Sequence, residues 1–258
     1  MNAIILAGGK SSRFGKDKAF IKVKGTAIFK RQLNVLTKIF DETIVVTDNP
    51  QKFHLFGSYI RKINERNLRA GYKLKKIEIV QYILPAKGPL CGILSGLIKS
   101  RSRHNFVIAC DMPFINEGLI KYMIKNIKKF DIFIPKIDNK FHPLCGVYSK
   151  NCISVIGWLL LQDRLKVSDL FSKKIAFGDK TLSLKGIRRS ILLDNFKMRF
   201  SVVGISAFEI PYHRLKVKFI SKKKLQSFDK DLLCLENINT LQDLKNVSHR
   251  RIFPDGSS

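Results

Sequence analysis

A chain of 258 residues has room for one large domain or two small ones, and 45% hydrophobic residues suffice to bury a sizeable core, which excludes a disordered polymer. Its 48 lysines and arginines against 20 aspartates and glutamates leave a formal charge of +28. Such a field favours polyanionic ligands, nucleic acid or an acidic partner; the bland alternative is a lysine-rich chain with solvated faces.

No continuous apolar run approaches the roughly 20 residues of a membrane span. The first residues lead straight into an apolar run, without the basic and hydrophobic regions of a secretory signal, so a cytoplasmic protein is expected. Cys91, Cys110, Cys145, Cys152 and Cys234 are scattered and without C-x-x-C pairs, which points to reduced core thiols rather than a zinc site or disulfide framework.

In chain order, residues 2–6 form a short apolar run that reads as a buried strand, and Gly8 and Gly9 follow it at once. Glycines there let the backbone turn tightly and come close to a ligand. Exposed N–H groups beside Lys10, Arg13, Lys16 and Lys18 make a site for phosphate oxygens. The loop is not a Walker A loop, because five residues separate Gly9 from Gly15 and Asp17 stands where the hydroxyl that binds magnesium should be. Nor is it the dinucleotide fingerprint, since Gly8 and Gly9 are adjacent.

Thr26 is positioned to cap a helix running to about Phe40, with Ile28, Leu33, Leu36 and Phe40 near helical spacing. Thr43–Thr47 and Ile77–Val80 read as strands, and Pro89 suits the first turn of a helix carrying Ile93, Leu94, Leu97 and Ile98. Phe106–Cys110 is a further strand. Asn116 caps a helix with the apolar stripe Leu119, Ile120, Met123, Ile124 and Ile127, and Ile132–Pro135 and Cys145–Tyr148 read as strands. Alternating strands and helices predict a layered α/β fold with a mainly parallel sheet. In such sheets ligands sit at the carboxyl ends of the strands, so the glycine loop and Asp111 project toward one rim. The whole chain reads as a single domain, with added segments around 57–76 and 174–234 and a loose tail from Pro254.

The run Leu6-Ala7-Gly8-Gly9-Lys10-Ser11-Ser12-Arg13-Phe14-Gly15-Lys16-Asp17-Lys18-Ala19 resembles the opening signature of the molybdenum cofactor guanylyltransferases, with Phe14 for the usual Met. Asp17-Lys18 separates it from related enzymes that activate sugars or isoprenoid precursors and typically carry Pro-Lys. Gly88-Pro89-Leu90, Cys110-Asp111-Met112-Pro113-Phe114, His142-Pro143 and Asn237-Ile238-Asn239-Thr240 resemble further family segments, and Ser168-Asp169-Leu170 is a weaker echo. Thr240 could equally cap a closing helix.

The resemblance implies a Rossmann-like three-layer sandwich of the nucleotide-diphospho-sugar transferase type. It implies transfer of GMP from GTP to molybdenum-molybdopterin, with pyrophosphate released and Mg2+ as cofactor. On this reading Leu6, Ala7, Gly8 and Gly9 wrap the nucleotide, and Arg13 and Lys18 balance charge on the phosphates. Asp111 holds the metal, while Thr47 and Gln81 fall at the positions around the base. Thr47 and Gln81 depart from the family's usual asparagine and acidic residue. A cytidylyltransferase or another nucleotidyltransferase therefore stays open as an alternative, as does a basic non-catalytic protein that binds nucleic acid or a partner. The charge suggests acidic apo-molybdoenzymes or cofactor-delivery proteins as further partners, met through the lysines and arginines of residues 61–76.

Overall fold

The computed structural model describes residues 1–8, 18–69, 71, 73–84, 88–171 and 215–249. Gly9, Arg13 and most of the segment 174–234 lie outside them. Among the described residues no helix is long and apolar enough to cross a membrane.

The first strand, β1 (Asn2–Leu6), is buried along its whole length. Its side chains alternate between two cores: Ala3 and Ile5 face one, Ile4 and Leu6 the other. That is the period-2 geometry of a strand covered on both sides. The sheet around it runs in the order β10 (Val217–Ile220), β7 (Ile132–Ile137), β9 (Cys145–Ser149), β6 (His104–Ala109), β1, β4 (Glu42–Thr47) and β5 (Lys76–Gln81). β1 pairs in parallel with β4 and β6, β4 with β5, and β10 with β7, whereas β9 is antiparallel to both of its neighbours. A short strand β8 (Lys140–Phe141) folds back on β7.

Helices α1 (Ile28–Ile39), α2 (Gly57–Arg69) and α4 (Glu117–Asn126) supply Phe29, Leu33, Leu36, Ile63, Leu119 and Met123 to the core on one face. Helices α3 (Gly88–Lys99) and α5 (Cys152–Leu161) supply Leu90, Ile93, Leu94, Leu97, Ile156 and Leu159 to the other. The expected three-layer α/β sandwich is therefore present. All five cysteines are buried and unbridged.

Thr26 does not cap α1. It lies in the hairpin of β2 (Lys22–Val23) and β3 (Thr26–Ala27), and Ala27 takes the cap position without a side-chain bond. Lys24 and Gly25, both at positive φ, form the two-residue turn that this hairpin requires. The first helical amide is satisfied by backbone instead, Ile28 N–H donating to the Ile21 carbonyl at 2.9 Å. Asn116 does cap α4, its side chain accepting from Leu119 N–H at 2.8 Å.

The long connection over 57–76 holds α2 and leads into β5, as a crossover between parallel strands needs. Within it Lys75 pairs with Asp41 at 2.7 Å, and Lys76 with Glu42 at 2.7 Å and Glu78 at 3.0 Å. The outward charge of this segment therefore rests with Arg61, Lys62, Arg66, Arg69 and Lys73, all exposed.

Candidate active site

Three strands end at one rim and are tied together there. The Ala7 N–H donates to the Val46 carbonyl at 2.8 Å, and Cys110 N–H donates to the Leu6 carbonyl at 3.0 Å. The glycine turn after β1 and Asp111 after β6 are thus held side by side, as the strand order requires.

Asp111 is 9% exposed. Its Oδ2 accepts a hydrogen bond from Lys18 Nζ at 2.9 Å. Its Oδ1 is buried and has no hydrogen-bond partner among the described residues. An orphaned carboxylate oxygen of this kind carries a desolvation cost that only a donor or a cation offsets. Lys18 makes a second bond, to Asn239 Oδ1 at 2.5 Å. The ammonium therefore bridges the end of β6 and a segment from the far end of the chain.

The C-terminal segment is fixed in turn. Ile238 is fully buried among Ile21, Val23 and Ile28, and its N–H donates to the Asp111 carbonyl at 2.8 Å. Thr240 begins the closing helix (Leu241–His249), its hydroxyl accepting from Asp243 N–H at 3.1 Å. Within the Asn-Ile-Asn-Thr stretch Thr240 caps the helix and Asn239 meets Lys18.

Gln32 is the site residue that the sequence pattern hides. It sits fully buried within the apolar stripe of α1, and its amide donates to the carbonyls of Ala109 at 2.8 Å and Met112 at 3.0 Å. These carbonyls bracket Asp111, so α1 pins its loop from below. A polar residue interrupting an apolar stripe is the signal that could have found it.

Of the residues expected around the base, Thr47 is 1% exposed, and its hydroxyl accepts from Asn49 N–H at 3.2 Å. Gln81 is exposed. The side chain that stands against the glycine turn is instead Tyr82. Its N–H donates to the Thr47 carbonyl at 3.2 Å. A Cβ on Gly8 would lie 2.2 Å from the Tyr82 ring, and one on Gly92 would lie 2.9 Å from it. Gly8 therefore admits an aromatic ring, where the sequence suggests only the approach of a ligand. Burial pushes the Tyr82 hydroxyl well above the ordinary tyrosine range, so it stays protonated.

Beside this cluster a cleft of about 630 Å³ opens between β8 and the C-terminal segment, with Met112, Lys140, His142, Asn237, Asn239 and Asp243 in its wall. Burial, followed by the charge of Lys140, holds His142 below its usual 6.5 and so keeps it neutral near pH 7.

A lysine on a buried carboxylate, beside a strand-to-glycine turn and at the carboxyl rim of a mainly parallel sheet, is the apparatus of a nucleotidyltransferase. Comparison with known proteins makes the assignment narrower. The family model of the MobA-like NTP transferase domain matches residues 3–174. A probable molybdenum cofactor guanylyltransferase from Natranaerobius thermophilus is 32% identical over 212 residues, covering 81% of this chain and 90% of its own. One from Methanosarcina mazei is 30% identical over 249 residues, covering 95% and 89%. The crystal structure of molybdopterin-guanine dinucleotide biosynthesis protein A from Archaeoglobus fulgidus shares the fold, with a TM-score of 0.61 at 22% identity over 96% of this chain and 97% of that one. The chain belongs to the MobA-like NTP transferase family, and it is an enzyme of the nucleotidyltransferase class.

Proposed function

We propose that the protein joins GMP from GTP to the phosphate of molybdenum-bound molybdopterin and releases pyrophosphate, forming the guanine dinucleotide cofactor. The observation that carries this reading is Lys18 seated on Asp111 at 2.9 Å while the other oxygen of that carboxylate is left without a partner among the described residues. The names borne by the relatives at about 30% identity supply the acceptor and the base.

The step asks little covalent chemistry of the protein. An oxygen of the acceptor phosphate attacks the α-phosphorus, and the bond to the bridging oxygen breaks as pyrophosphate leaves with the electron pair. Positioning and charge neutralisation are the protein's share. Lys18 balances charge on the transferring and departing phosphates, with Arg13 assigned the same task. Ala7 N–H is engaged with the Val46 carbonyl and Gly8 N–H faces the Tyr82 hydroxyl, and Leu6, Ala7, Gly8 and Gly9 are assigned to wrapping the nucleotide.

The donor set at Asp111 suits Mg2+, a hard cation that takes one or two carboxylates and fills its remaining positions with phosphate oxygens and water. Asp111, whose Oδ1 is buried without a partner among the described residues, is the residue that would hold the ion, and a bound Mg2+ would supply charge neutralisation for the phosphates. The cleft walled by His142 and Asn237 is where the acceptor lies, and Thr47 and Gln81 flank the base, with Tyr82 as the wall of its pocket. We place this activity in the cytoplasm, where five unbridged thiols are at home. Apo-molybdoenzymes or delivery proteins with acidic surfaces fit the overall charge.

Side-by-side assay with each nucleoside triphosphate, Mg2+ and molybdenum-molybdopterin tests the reading. GTP should be used in preference to CTP, ATP and UTP. Preference for CTP would replace guanylyl by cytidylyl transfer, and no product with any of them would favour a binding protein that keeps the fold.

A further inference from the structure

The bonds around Asp243 exceed what a helix cap needs. In a capping box the third helical residue reaches back to the N–H of the cap residue, which here is Thr240. Asp243 Oδ2 does accept from Thr240 N–H at 2.8 Å, and it also accepts from Asn239 N–H at 2.8 Å, one residue further out. Asn239 is the residue whose Oδ1 receives Lys18. The preceding amide, Ile238, is bound to the Asp111 carbonyl at 2.8 Å. Asn239 is thus held on both sides, by Asp111 through the backbone and by Asp243 through its carboxylate. The Asn239 and Thr240 amides, together with the charge of Lys18, hold the Asp243 carboxyl below the usual range, so it is an anion throughout the neutral region.

We propose that Asp243 is a positioning residue for the transfer reaction: its carboxylate fixes the Asn239 backbone, and Asn239 in turn holds the Lys18 ammonium where it meets the phosphates. The proposal rests on the reading that Lys18 acts on those phosphates. The Oδ2 of Asp243 is taken up by the two backbone amides. Its effect passes through one side chain and one ammonium group, so its loss should be felt in the chemical step more than in nucleotide binding.

The test measures kcat, KM for GTP and Tm for Asp243→Ala, Asp243→Asn, Asn239→Ala, Thr240→Ala, Lys18→Ala and the Asp243→Ala/Asn239→Ala double variant. Misplacing a catalytic cation by about an ångström costs on the order of a hundredfold, so Asp243→Ala should lower kcat about ten- to a hundredfold with a far smaller change in KM. Asp243→Asn keeps an acceptor oxygen and should recover part of that loss; it also serves if Asp243→Ala does not fold. The double variant should be little worse than Asn239→Ala alone, because the two residues act in one chain. Thr240→Ala removes the hydroxyl cap but leaves both amide bonds, so for a similar fall in Tm it should lose much less kcat. Additive losses, or kcat that follows Tm equally in Thr240→Ala and Asp243→Ala, would overturn the proposal. Normal turnover by Lys18→Ala would overturn the reading beneath it. An inactive Lys18→Ala beside a fully active Asp243→Ala would overturn the positioning role alone.

Discussion

Lys18 and Asn239 stand 221 positions apart in the chain, and their polar atoms meet at 2.5 Å. That contact joins the first strand-to-glycine connection to the segment leading into the helix Leu241–His249. It makes the C-terminal segment part of the site rather than an appendage to it.

Gly8→Ala should destabilise the protein. The added Cβ would fall 2.2 Å from the Tyr82 ring, and a packed ring cannot withdraw as the tip of a flexible chain can. Overpacking of this kind costs typically about 1–3 kcal/mol. Urea unfolding measures it, and the same substitution made in a Tyr82→Leu background should cost less. Equal costs in both backgrounds would show that the ring is not the obstacle.

Gln32→Leu keeps the approximate volume of the side chain but withdraws donors from the Ala109 and Met112 carbonyls. Leaving buried acceptors short of a partner costs about 1–3 kcal/mol. Because those carbonyls flank Asp111, turnover should fall together with stability. A stable variant with normal kcat would show that α1 does not position the Asp111 loop.

His142 and His104 are both held below 6.5, chiefly by burial. In the pH range between the unfolded value and their lowered folded values, the unfolded chain binds more protons than the folded one. Stability must therefore fall as pH drops through about 6.5, and the fall must level off below the folded values. His142→Gln should flatten that slope in a series of Tm measurements from pH 8 to pH 5. An unchanged slope would assign it to other groups.

Electrostatic steering should come from the exposed cations of α2 and the turn after it. Replacing Arg66, Arg69 and Lys73 by glutamine should raise KM at low salt and leave kcat nearly as it was, with the difference vanishing as salt screens the field. Lys75 and Lys76 are already paired with Asp41, Glu42 and Glu78, so replacing them should act mainly on stability. Coincident salt curves for wild type and the Arg66/Arg69/Lys73 variant would remove steering from the picture.

Much of this architecture was legible in the residue pattern because burial writes itself into spacing. Continuous apolar runs marked β1 and β6, and the rule that ligands gather at strand carboxyl ends brought Leu6 and Asp111 together. Asn116 announced its helix. Other features leave weaker traces. Nothing in the composition of β9 records that it runs antiparallel, because an apolar strand reads the same in either direction. The Lys24–Gly25 turn competes with a helix cap at Thr26, and the hairpin prevails because Ile21 already satisfies the first helical amide. Tyr82 looks like any residue following a strand; its place against Gly8 and Gly92 depends on three separate elements meeting. The bond between Lys18 and Asn239 depends on the whole sheet being assembled first. Gly9 and Arg13 lie outside the described residues, and their roles stand as proposals.

The most direct test of the central claim follows label from GTP carrying a radioactive α-phosphate. In the wild-type protein with Mg2+ and molybdenum-molybdopterin, label should pass to the pterin product as unlabelled pyrophosphate is released. Asp111→Asn keeps the shape of the side chain but loses the charge that would hold the metal, so it should fold normally and transfer no label. Near-normal transfer by Asp111→Asn would contradict the assignment of Asp111 as the metal ligand and, with it, the mechanism built on the Lys18–Asp111 pair.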